Sequence, residues 1–232
     1  MKFFATLVLC CVSAHAAELL IAAASDLAPI APKLEKAYAE KVRFTLASSG
    51  SLRQQIENGA PFDVFLSANE TYVRDLLAAG LVTDPTNYAT GRIALWSPNG
   101  SVASLEDLKK TAVIHLAIPN PQHAPYGVAA KQALEARGLW EAVEPKIVYG
   151  ENVRQALQFA ESGNVDAVIT SWTLLIGKGA LLPEQWHAPI RQTGAVVKAS
   201  TQAEAARRFL HFMMSPAAQK ILTDGGLFPP AR

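Results

Sequence analysis

Short apolar runs alternate with segments of helical periodicity along almost the whole chain, and this alternation restricts the fold more than any other feature. Strand signals fall at 19–24 (LLIAAA), 42–47, 62–68 (FDVFLSA) and 92–98 (RIALWSP), then at 113–119 (VIHLAIP), 146–150, 165–170 (VDAVIT) and 194–199. Helical patterns separate them at 27–40, 52–58, 70–79, 104–110, 128–137 and 152–162, and two more close the chain at 203–214 and 216–224. Such alternation predicts an α/β fold with mostly parallel sheets flanked by helices. A chain of 232 residues is long enough for two lobes, each with its own core.

Four times a strand hands the chain to a small or polar turn that opens a helix: at Ser25, Ser49, Tyr126 and Val153. Two of these junctions lie in the first 90 residues and two after 110, which suits two similar lobes facing each other. The first N–H groups of a helix lack intrahelical partners, and the macrodipole adds roughly half a positive charge, so helix starts attract anions. Ligands of open α/β sheets also bind at the carboxyl ends of the strands. Each junction alone has a plainer reading. Ser25 serves as a helix cap, SSGS at 48–51 as a flexible turn, Tyr126 as a packed aromatic, and Val153 offers only a backbone N–H. Recurrence carries the signal.

Residues 1–16 read as a secretory signal peptide, with Lys2, an apolar stretch from Phe3 to Val12, and a small-x-small site that places cleavage after Ala16. The apolar stretch is shorter than the roughly 20 residues a membrane span needs. Both cysteines, Cys10 and Cys11, fall inside this leader, so the mature chain is expected to have neither disulfide nor thiolate chemistry. Removing Lys2, the leader's only charged residue, from 21 basic residues leaves 20 against 20 acidic ones. A neutral chain without basic runs argues against nucleic-acid or anionic-membrane partners. The expected location is the periplasm.

The motifs AAASDL (22–27), ASSGSLRQQIENGAPFDVFLSAN (47–69), PNPQHAPYGVAAKQALEARGLW (119–140) and GENVRQAL (150–157) resemble, in order, those of the periplasmic molybdate-binding proteins of ABC transporters, the ModA family. The resemblance spans essentially the whole mature chain. It implies a type II-like two-lobed binding protein with the ligand cleft between the lobes, carrying molybdate, and tungstate with it, to a membrane permease. By this similarity Ser25 and Ser49 bind the oxyanion through hydroxyl and N–H, and Tyr126 and Val153 through backbone N–H. Molybdenum enters only as the centre of the oxyanion, and no cofactor is implied. Some family members place a tyrosine where this chain has Thr170, and the Tyr126 hydroxyl is the expected compensation. Asp26 is expected to turn its carboxylate away and offer its own N–H, because an inward carboxylate repels a dianion and accepts the proton of hydrogenphosphate.

The expected lobes are 17–90 with 199–232, and 91–198, joined by hinge crossings at 89–93 and 194–198. Ligand contacts from both lobes would favour a closed, monomeric form. Another tetrahedral oxyanion, sulfate or phosphate, is the alternative cargo. An enzyme is not expected: no G-x-S-x-G, S-x-x-K, H-E-x-x-H or Walker A pattern occurs. His115, His123, His187 and His211 are scattered, so they make no recognisable metal cluster, and His123 is assigned to the cleft rim.

Overall fold

The structure, a computed structural model, describes residues 18–230; the signal peptide expected at 1–16 lies outside the described residues. The chain begins with β1 (Leu19–Ala24), a 3₁₀ turn at Ser25–Leu27, α1 (Ala31–Ala37), β2 (Val42–Ala47), α2 (Ser49–Glu57), β3 (Val64–Ser67), α3 (Glu70–Ala78) and β4 (Val82–Gly91). It continues through β5 (Ile93–Trp96), β6 (Leu116–Pro119), α4 (Pro125–Ala136), α5 (Trp140–Val143), β7 (Ile147–Gly150), α6 (Val153–Glu161), β8 (Ala167–Ser171) and β9 (Ala180–Leu181). β10 (Ile190–Val197), α7 (Ala203–Met213) and α8 (Pro216–Asp224) complete it.

These strands form two five-stranded sheets, ordered β2-β1-β3-β10-β4 and β7-β6-β8-β5-β9. In both, three strands run parallel, and the fourth and fifth join antiparallel. Successive residues of a strand face opposite sides, so each sheet buries two faces. In the first, Ile21, Leu66 and Val196 pack beneath Phe209 and Met213 of α7, while Ala22 and Phe65 meet Leu52 of α2 and Val73 of α3. In the second, Ile118 and Ile169 meet Ala130 and Leu134 of α4, while Ala117 and Val168 meet Ala156 and Ala160 of α6. The two lobes have the same layered plan.

Three differences from the sequence reading have physical causes. Strand β10, assigned by sequence to the second lobe within 91–198, pairs with β3 and β4 in the first sheet. The second crossing therefore lies at 188–190 and not at 194–198: the Ala188 N–H still donates to Gln132 of α4, while Ile190 already pairs with Gly91. An apolar run marks a strand, but its lobe is set by partners more than a hundred residues away. Strand β4 escaped the sequence reading because VTDPTNYATG is rich in turn formers; Asp84 there adopts a positive φ of 55°. The helix expected at 27–40 is a 3₁₀ turn and then the shorter α1, which starts beyond Pro29 and carries Pro32 in its first turn, where a missing N–H costs nothing.

Candidate functional site

The four junctions converge. Ser25, Asp26, Ser48 and Ser49 of the first lobe and Tyr126, Asn152 and Val153 of the second line one small cavity of ≈ 10 Å³ between the lobes. All are buried except Asn152, which is half-buried.

Neighbouring residues do the capping and leave the junction donors free. Ser48, not Ser49, caps α2, its Oγ accepting the Ser51 N–H at 3.3 Å. The Ser49 Oγ accepts the N–H of Ala68 at 2.9 Å, which leaves its hydrogen to donate. Asn152 caps α6 by accepting the N–H groups of Arg154 and Gln155 at 3.0 and 3.2 Å. The Val153 N–H is thus a first-turn donor without an intrahelical acceptor, as are those of Ser49 and Tyr126. Ser25 does not cap through its side chain, and its buried Oγ has no hydrogen-bond partner. A buried hydroxyl left unpaired is costly, typically 1–3 kcal/mol, so this atom is one a ligand oxygen would satisfy.

Asp26 spends its carboxylate on the lobe junction. Its side chain is fully buried at the lobe junction, where Oδ2 accepts from Tyr126 Oη at 2.8 Å and from Gln192 Nε2 at 2.7 Å. Tyr88 donates to Gln192 Oε1 at 3.0 Å and so fixes which end of that amide faces Asp26. Gln192 sits at a register shift in β10, a device that re-aims side chains out of a ladder. Burial pushes the Asp26 carboxyl up to about 7, against the opposing effect of the Tyr126 and Gln192 hydrogen bonds. Burial, with Asp26 nearby, also pushes the Tyr126 and Tyr88 hydroxyls well above the usual phenol range.

Two expectations are corrected by this geometry. The Tyr126 hydroxyl has one hydrogen and gives it to Asp26, so it does not replace the missing tyrosine as an anion donor. Thr170 does not line the cavity; its Oγ1 donates to the Val153 carbonyl at 2.9 Å and steadies the first turn of α6. Gln192 was absent from the sequence reading. Flanked by Arg191 and Thr193 in the polar first half of β10, it carried no signal that set it apart.

The lobes are closed over the cavity. Gly50 N–H donates to the His123 carbonyl at 2.9 Å, Ser51 Oγ to Glu151 at 2.9 Å, and Thr173 Oγ1 to the Asp26 carbonyl at 2.7 Å. His123 Nε2 lies 3.0 Å from Glu151 at the rim. A larger groove, ≈ 450 Å³, runs outward from Ser25 and Asn152 along α6 past Arg154 and Glu161. Among the described residues no group of three or more His, Cys, Asp or Glu could hold a metal ion, and no helix is long and apolar enough to cross a membrane. The site offers hydrogen-bond donors and helix starts.

Comparison with known proteins agrees with this architecture. Residues 19–228 match the family model described as bacterial extracellular solute-binding protein. The molybdate-binding protein ModA of Rhodobacter capsulatus is 32% identical over 226 residues, covering 92% of this chain and 89% of the relative. That of Azotobacter vinelandii is 35% identical over 229 residues, covering 92% and 91%. The solved periplasmic molybdate-binding protein of Azotobacter vinelandii superposes with a TM-score of 0.86 at 30% identity, covering 92% of this chain and 100% of that one.

Proposed function

The chain belongs to the ModA family of bacterial extracellular solute-binding proteins, and from that premise we propose that it captures molybdate in the periplasm and hands it to the membrane permease of an ABC transporter. Tungstate, of the same shape and charge, is its second ligand. The observation that carries this reading is the convergence of an unpartnered Ser25 hydroxyl, the free hydrogen of Ser49, and first-turn N–H groups from both lobes on one small cavity.

A tetrahedral dianion presents four acceptor oxygens and no donor, which complements such a site. Ser25 and Ser49 contribute hydroxyl and N–H, Tyr126 and Val153 contribute N–H, and Asp26 contributes its backbone N–H. Thr170 acts one step removed, through the Val153 carbonyl. Hydrogen bonds to a charged group are worth about 1.5–3 kcal/mol each, so six or seven offset the dehydration of the ion and leave tight binding. Because donors come from both lobes, five from the first and two from the second, the anion favours the closed form, and that form is what a permease recognises. The protein works as a monomer, binds rather than transforms its ligand, and needs no cofactor.

Thermal denaturation against a panel of oxyanions tests the reading. Molybdate and tungstate should raise the melting temperature strongly, as any ligand selective for the native state does. A shift with sulfate or phosphate alone would reassign the cargo; no shift with any of them would end the oxyanion reading.

A further inference from the structure

We propose that the lobes close on the anion with Asp26 in its neutral, protonated form, so that each molybdate bound takes up one proton from solvent onto this carboxyl. The inference rests on the anion-capture reading above and adds to it the charge state in which the site works.

The surroundings of Asp26 favour an acid over a carboxylate, because the side chain is fully buried and its two donors, Tyr126 and Gln192, are uncharged. Both donors, Tyr126 Oη and Gln192 Nε2, converge on Oδ2, and Oδ1 has no partner although it is buried. An ionised carboxylate has acceptor sites on both oxygens and leaves Oδ1 unsatisfied at high cost. A neutral carboxyl also leaves its Oδ1 hydroxyl without an acceptor, but at the lower cost of an uncharged group. Among the described residues no Lys, Arg or His forms an ion pair with Asp26. From α4 the facing titratable group is Tyr126, from β4 it is Tyr88, and β10 offers the neutral Gln192. The 3₁₀ turn at Trp172–Leu174 and the end of β8 bring only the hydroxyls of Thr173 and Ser171. On α6, Arg154 and Glu161 are exposed along the outer groove, and the charged residue of β2, Arg43, pairs with Glu18 at the far end of that strand. The upward shift of the carboxyl to about 7 runs in the same direction.

Opening withdraws Tyr126 and Thr173 with the second lobe and lets water reach Asp26, which then ionises as an ordinary carboxyl. Closing reverses this, and a dianion one residue away strengthens the demand for the proton. The reaction is a simple protonation, carboxylate plus one solvent proton giving the carboxyl, and no other co-reactant is required.

Calorimetric titration of molybdate into the mature protein, in buffers of different ionisation enthalpy, counts the protons directly. At pH 6 the uptake should approach about one per molybdate, and affinity should fall up to roughly tenfold per unit as pH rises from 5 to 7. Asp26→Asn should show no uptake and, whatever its affinity, no such slope. An infrared difference spectrum of the wild type should gain a protonated-carboxyl band on adding molybdate, a readout that does not depend on the variant folding. Binding with buffer-independent enthalpy, absence of that band, or wild-type uptake in Asp26→Asn would each overturn the proposal while leaving molybdate capture intact. Absence of any molybdate heat would instead overturn the capture reading and this one with it.

Discussion

The N–H of Gly50 donates to the carbonyl of His123 at 2.9 Å, tying the first turn of α2 to the loop before α4 across the cleft. That approach leaves no space for a side chain: a Cβ on Gly50 would lie 2.7 Å from both the His123 Cβ and its carbonyl oxygen. Gly50→Ala should therefore weaken molybdate binding by about tenfold or more, while the better helix former holds or slightly raises the stability of the open protein. Calorimetry paired with unliganded melting curves separates the two effects.

Tyr126→Phe keeps the ring and removes the hydrogen bond to Asp26 that spans the lobes. A hydrogen bond between uncharged groups is worth about 0.5–1.5 kcal/mol, so affinity should drop roughly two- to tenfold. Small-angle scattering at saturating molybdate should still show compaction, at higher ligand concentrations than the wild type needs. An unchanged titration midpoint would mean that the contact plays no part in closure.

The two serines should part company. The Ser25 hydroxyl is buried and unpartnered, so Ser25→Ala removes an unmet polar group and should leave unliganded stability unchanged or higher while affinity falls. Ser49→Ala also strips the Ala68 N–H of its acceptor and should lower both, by about 1–3 kcal/mol in stability. Equal melting temperatures for the two variants would contradict this division.

In the molybdate-saturated protein, Asp26 makes stability depend on pH. Burial raises its folded-state value from 3.8 to about 7, so the stabilisation is fully present below the unfolded value and is lost as pH rises through the folded one. Melting temperature should decline from pH 5 to 8 more steeply in the wild type than in Asp26→Asn, by an amount equivalent to a few kcal/mol at most. Parallel curves would show that this carboxyl is already ionised in the closed state.

What sequence could reveal about the site was local. A strand, a small residue and a helix start are adjacent along the chain, and so Ser25, Ser49, Tyr126 and Val153 stood out. Which neighbour caps, Ser48 or Ser49, depends on a rotamer and a turn geometry that residue type does not report. The Asp26 environment was hidden for a different reason: its partners Tyr126 and Gln192 are 100 and 166 residues distant. The alternation of elements likewise disclosed the α/β class, yet not that β10 returns to the first sheet, because a strand pattern carries no address of its partner.

That return sets the mechanics of the molecule. The crossings at Arg92 and at 188–190 leave the first sheet side by side, where Gly91 of β4 is in register with Ile190 of β10. Two adjacent tethers permit torsion about a single line and resist sliding, as the spine of a book does. Torsion about that line would leave every rung of both sheets paired, so the work of opening would fall on the contacts at the cleft and none on the framework that carries them.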